Sequence, residues 1–251
     1  MAKFRDAASA AVAAGFRQYL RDVALETRVT EFDAAWGVTS NIPGYFSETN
    51  AAVFWSVIAE RHPRRVVEIG SYQGRSTALL ALAIREYGGR LTAVDPHTGD
   101  RQAMESLGHN ELPSLQMFRL HIAGLGLGDV VEEKVMTSVE AADGWTQPVD
   151  LLFDDGWHSY EAVHEDGAAW LPHLAPNGLV CFDDYEHYDE VHRAVDEVCD
   201  QYGLTLYGTV LAQAWAGRAV KPPERLAKVL SVNAVRQRVK AWSGRSGVFS
   251  V

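Results

Sequence analysis

Between Arg64 and Gly217 short apolar runs alternate with helix-length segments, the pattern of a parallel sheet wound from strand–helix–strand units. Five runs read as strands: Arg65–Ile69, Leu91–Asp95, Val130–Met136, Val149–Phe153 and Leu179–Phe182. Helices fit between them at Ser76–Tyr87, Ser114–Gly124, Ser159–Leu171 and Val191–Tyr202. Leu204–Val210 and Ala212–Gly217 then read as two strands joined by a tight turn, an ending foreign to an ordinary dinucleotide-dehydrogenase half. Upstream, Ala7–Val29 and Ser47–Glu60 are predicted helices, the second capped by Ser47, with a turn-rich segment Asn41–Phe46 between them. The chain is expected to divide into a helical cap (1–62), a cofactor-binding domain (63–220) and a basic helical tail (221–251). The polar stretch between Pro96 and Pro113 is long enough to be expected as a lid.

Whole-chain properties narrow the class. No apolar run reaches the roughly 18 residues that cross a bilayer. The start carries Lys3 and Arg5 ahead of an alanine-rich stretch, but Asp6 and Arg17 break the pattern of a secretory leader, so a surface helix is expected there. Two cysteines, Cys181 and Cys199, make no disulfide framework, and a reduced cytoplasmic setting is the expectation. The net charge is −10, and from Lys221 onward seven Lys or Arg face one acid, Glu224. An acidic body argues against a nucleic-acid backbone as the partner. The basic tail reads as a solvated helix against its own domain.

The turn after the first strand, Glu68-Ile-Gly-Ser-Tyr-Gln-Gly-Arg-Ser76, is the most informative segment. Gly70 and Gly74 let the chain turn sharply from strand to helix and let a ligand approach the backbone. The helix opening near Ser76 offers free amides to a carboxylate, while Glu68 can meet an ammonium. A ligand bearing both charges, such as a methionine moiety, suits the pair better than a pyrophosphate, and the third glycine of the NAD fingerprint is missing. Asp95 closes the second strand, where an acid can accept ribose hydroxyls. Thr137 and Ser138 follow the third strand at the same edge, where Ser138 can hydrogen-bond an adenine. Glu68, Gly70, Ser71, Gly74, Ser76, Asp95, Ser138 and Asp155 are therefore the expected cofactor contacts.

The fourth run ends in Phe153-Asp-Asp-Gly-Trp-His158 and the fifth in Cys181-Phe-Asp-Asp184. Carboxyl ends of neighbouring parallel strands converge on one crevice, which gathers Asp155, Asp183 and Asp184. Like charges so close require a cation or raised pKa values, and an all-oxygen set with vacancies suits Mg2+ or Mn2+. Asp154 is expected only to cap a helix. His158, three residues past Asp155, is the candidate proton acceptor.

Taken as a series, Val67-Glu-Ile-Gly-Ser-Tyr72, Gly74-Arg-Ser-Thr77, Val94–Asp100, Leu151–Tyr160 and Trp170–Gly178 ahead of the double aspartate resemble class I methyltransferases, the magnesium-dependent sugar O-methyltransferases among them. The resemblance spans about Ile42 to Tyr185. It implies a Rossmann-like α/β fold with a seven-stranded sheet, helices on both faces and a last strand running antiparallel. It implies S-adenosylmethionine as cofactor, Mg2+ or Mn2+ on Asp155, Asp183 and Asp184, and His158 as general base. The implied partner is a small hydroxylated, sugar-containing molecule, with homo-oligomer formation left open. Many such relatives carry Asp-Gly-Asp-His where this chain has Asp155-Gly-Trp-His158. Trp157 is similar instead to the tryptophan of catechol O-methyltransferases, so a phenolic acceptor is the rival reading. A non-catalytic cofactor-binding module is a further one, against which the acid–His set argues.

Overall fold

The computed structural model describes residues 2–26, 28–98 and 113–234. The stretch 99–112, expected as part of a lid and containing Asp100 and His109, and residues 235–251 of the basic tail lie outside them. Three helices lead: α1 (Ala2–Leu25), α2 (Val29–Thr39) and α3 (Glu48–Arg61). The helix expected over Ala7–Val29 ends at Leu25, because the chain leaves the helical region at Glu26, where φ is +48°, and α2 is a further helix that the sequence reading does not include. Ser47 caps α3 as expected, its hydroxyl accepting from the Asn50 amide.

Alternation then follows the sequence closely. β1 (Arg65–Ile69), α4 (Arg75–Arg85), β2 (Arg90–Val94), α5 (Ser114–Gly124), β3 (Val131–Lys134), the short α6 (Ser138–Ala142) and β4 (Val149–Asp154) come first. Next are α7 (Tyr160–Trp170), β5 (Leu174–Phe182), α8 (Asp189–Gln201), β6 (Thr205–Val210) and β7 (Gln213–Gly217). Residues 224–234 are helical again. β5 begins five residues before the expected Leu179. Leu174 already pairs with Val149, and a bulge between this pair and Leu151–Leu179 absorbs the residues in between.

The seven strands form one sheet in the order β3-β2-β1-β4-β5-β7-β6. β1 to β5 are parallel, and β7 runs antiparallel to both β5 and β6. Strand order reverses between β1 and β4, so the crevice of an open α/β sheet lies at their carboxyl ends.

Period-2 alternation distributes the core over the two faces. Val66, Leu151, Phe153, Leu179, Cys181 and Trp215 join the buried residues of α1 to α5. Val67, Ile69, Leu152, Val180, Phe182, Ala214 and Ala216 meet α7 and α8 on the other side. Phe54 of α3 lies 4.8 Å from Phe153 and 4.7 Å from Trp215, ring centre to ring centre. The leading helices therefore share one core with the sheet. No helix among the described residues is long and apolar enough to cross a membrane.

Candidate active site

The β1–α4 turn is held together by its own backbone and by Asp95. Ser71 and Tyr72 donate their amides to Asp95 Oδ2 at 3.0 and 2.8 Å, and the His97 amide donates to Oδ1 at 2.7 Å. Asp95 thus fixes the turn beside which it stands. Gly70 has φ +83°, and a Cβ there would lie 2.0 Å from the Asp155 carbonyl oxygen. The space beside Gly70 belongs to the β4 backbone, so glycine is required by close strand packing as well as by the turn. Gly74 is the N-cap of α4 at φ +91°, with no side chain capping that helix. Arg75 reaches back over the mouth: its guanidinium donates to the carbonyls of Ile42, Ser40 and Phe46. That clasp fixes the turn-rich segment beside the crevice and leaves Tyr45 exposed.

Glu68 is fully buried on the α4 side of β1. The Thr77 hydroxyl donates to its Oε2, and its Oε1 has no partner. Burial pushes its pKa up to about 7, opposed by hydrogen bonds from Ser76 and Thr77 and assisted by the charge of Asp95. The raised folded-state value means that the stability linked to Glu68 is full below the ordinary value of 4.5 and is lost as pH rises through about 7. The melting temperature of ligand-free protein is therefore expected to fall more steeply from pH 5 to pH 8 than that of Glu68→Gln. Equal slopes in scanning calorimetry would refute this.

Ser138 opens α6, but its hydroxyl accepts from the Trp170 indole at 2.8 Å and holds Asp166 on α7. Thr137 is the N-cap of a capping box with Glu140. Beside them Val135, Met136 and Val139 are exposed apolar side chains.

At the ends of β4 and β5 the acids separate by environment. Asp154, expected to cap a helix, does not: it is buried and pairs with Asp166. As the last residue of β4 it alternates to the α7 face, where burial and the Asp166 charge raise its pKa well above the carboxylate range. Asp155 points the other way and shares a cluster with His158 and Asp183, whose ligand atoms all lie within 4.8 Å of one another. Burial, then the Asp183 carboxylate, hold Asp155 well above its ordinary pKa. Burial raises Asp183 as well.

Asp184, expected beside these two as a metal ligand, stands one step out. Its backbone is left-handed, φ +55°, which turns the carboxylate toward two histidines. Oδ2 is 3.3 Å from His158 Nδ1, and Oδ1 accepts from His187 Nδ1 at 2.7 Å. His158 Nε2 is buried and makes no hydrogen bond, with Asp155 Oδ1 3.7 Å away. The Tyr188 ring lies against the imidazole, 5.6 Å between centres and nearly parallel, and Trp157 stands 72% exposed next to it.

A family model described as a methyltransferase domain matches residues 67–185, the span from β1 through the double aspartate. Among solved structures, the O-methyltransferase of Bacillus cereus in complex with SAH aligns with a TM-score of 0.56 at 17% identity, over 79% of this chain and 94% of that one. The SAH-bound methyltransferase PaMTH1 of Podospora anserina gives 0.55 at 15%, over 74% and 86%. The chain has the methyltransferase fold. An uncharacterized protein of Sinorhizobium fredii, y4gI, is 33% identical over 138 residues, 53% of this chain. The present chain spans only 14% of that relative's length.

Within the methyltransferase fold several residues of this site escape a reading of the sequence. His97 is one: its side chain is 5% exposed and its Nδ1 lies 3.0 Å from the Ser114 hydroxyl, although the sequence places it in a polar loop. Asp166 is another, hidden in a helix among Glu161, His164 and Glu165. Gln213 left a signal, a single polar residue inside Leu211-Ala-Gln-Ala-Trp-Ala216.

Proposed function

We propose that this protein is an S-adenosylmethionine-dependent O-methyltransferase that uses a divalent cation and acts on a hydroxyl of a sugar or glycoside small molecule. The observation that carries this reading is the juxtaposition of Asp155, Asp183 and His158 at the switch point, directly beside the β1–α4 glycine turn.

Cofactor binding is supported by three features of that turn. The uncapped start of α4 suits a carboxylate. Glu68 Oε1 is an acceptor without a donor, which suits an ammonium. Asp95 spends lone pairs on backbone amides but keeps others for ribose hydroxyls. Val135, Met136 and Val139 suit the adenine plane better than the Ser138 hydroxyl, which is already engaged. The sulfonium of the bound cofactor supplies the methyl group for direct displacement.

The donor set fits a cation. Two carboxylates raised by burial, Asp155 also by the Asp183 charge and Asp183 by that of Asp184, with an imidazole nitrogen alongside, are what Mn2+ or Mg2+ relieves. Asp155 and Asp183 would hold it, and it would supply charge that favours the ionised form of an acceptor hydroxyl. Asp184 Oδ2, 3.3 Å from His158 Nδ1, would orient the ring so that Nε2 faces the acceptor hydroxyl and takes its proton. Trp157 and Tyr188 offer flat surfaces beside that point. A sugar face or a phenol can lie on them, and the exposed Trp157 is what keeps the catechol-type acceptor as the second reading.

Calorimetry tests the cofactor assignment. S-adenosylhomocysteine is expected to bind without added metal and NAD to give no heat. Binding of NAD with none of S-adenosylhomocysteine would overturn the proposal.

A further inference from the structure

Gln213 is 1% exposed, and neither its Nε2 nor its Oε1 has a hydrogen-bond partner. Buried carboxamides are almost always hydrogen-bonded, so an unpaired one points to a group that completes it. The sheet register says where it stands. Phe182 lies opposite Ala214 on the antiparallel β5–β7 ladder, which sets Gln213 opposite Asp183 one residue further on. Cys181 and Trp215, two residues back on each strand, are paired and belong to the core under α3. Side chains two apart share a face, so Gln213 and Asp183 rise from that core toward the acid cluster. The carboxamide thus stands near the Asp183 carboxylate without a closed hydrogen bond to it.

We propose that Gln213 is the positioning residue for Asp183: its amide N–H closes onto the Asp183 carboxylate when that group binds a divalent cation, and fixes its orientation. This rests on the cation reading given above. An outer amide that orients a ligating carboxylate typically contributes about 10- to 100-fold in metal affinity. The unpaired amide is then the ligand-free half of a contact that cation binding completes.

The test is titration of the full-length protein with Mn2+ alone, read by calorimetry or electron paramagnetic resonance. It compares the unsubstituted protein with Gln213→Met and Gln213→Leu. Both variants replace an unpaired amide by an apolar group of similar bulk, so the melting temperature should be unchanged or higher. S-adenosylhomocysteine affinity should stay within about threefold, since Gln213 belongs to no expected cofactor contact. Mn2+ affinity is expected to drop about 10- to 100-fold in both, with turnover at saturating Mn2+ falling less than turnover at limiting Mn2+. Unchanged Mn2+ affinity, or loss of folding in both variants, would overturn the assignment of Gln213 and leave the cation reading standing. Failure of the unsubstituted protein to bind Mn2+ would remove both.

Discussion

Asp155→Ala is expected to lower methyl transfer by about 10³-fold or more, the several kcal/mol of charge stabilisation that a lost cation withdraws. The substitution is informative because the two roles of Asp155 lie on different atoms. Its carbonyl packs against Gly70 and its amide donates to the Ile69 carbonyl at 2.9 Å, and both survive in alanine. Only the carboxylate goes, and it is the group that burial and Asp183 hold well above its ordinary pKa. Stability should therefore hold or rise, and S-adenosylhomocysteine affinity should be nearly unchanged. Single-turnover kinetics with a parallel Mn2+ titration measures this. A variant that keeps turnover within tenfold while losing Mn2+ would show that the cation is not part of the chemistry.

His158→Ala is the second large effect. If Nε2 takes the acceptor proton, turnover falls by about 10²- to 10⁴-fold, the usual contribution of a positioned general base. Mn2+ and cofactor affinity should both survive. The geometry sharpens the test, because a ring nitrogen of His158 also lies in the group of atoms able to hold a cation. Should Mn2+ affinity collapse together with turnover, His158 is a ligand and not the base. Asp184→Asn gives an independent check. It keeps the shape but weakens the grip on Nδ1, so it should reduce turnover while leaving Mn2+ affinity largely intact.

Much of this was legible in the sequence where one local rule decided the outcome. The strands appeared as apolar runs because both faces of a parallel sheet are buried, and the seven-stranded fold with a terminal hairpin followed from their order. Gly70, Asp95 and Asp155 stand out in the sequence because strand ends in such sheets point to one crevice. What could not be read depended on side-chain direction within that crevice. Asp154 and Asp155 are neighbours in sequence, yet alternation sends one to Asp166 and the other to Asp183. Asp183 and Asp184 divide similarly, because a left-handed residue at 184 turns its carboxylate toward His158 and His187. No periodicity encodes a single positive φ at an aspartate. Gln213 lies thirty residues after Asp183 and meets it only through the β5–β7 register, a long-range pairing that local patterns do not contain.

The central claim is methyl transfer from S-adenosylmethionine to a hydroxyl at this acid–histidine cluster. Its most direct test is incubation of the pure protein with methyl-labelled S-adenosylmethionine and a panel of sugars, glycosides and catechols, each with Mg2+ or Mn2+ and with excess EDTA. The predicted result is label on a sugar-containing acceptor, abolished by EDTA and restored by the metal. Label on catechols alone would move the acceptor to the second reading, whereas full transfer in excess EDTA would contradict the account of the site.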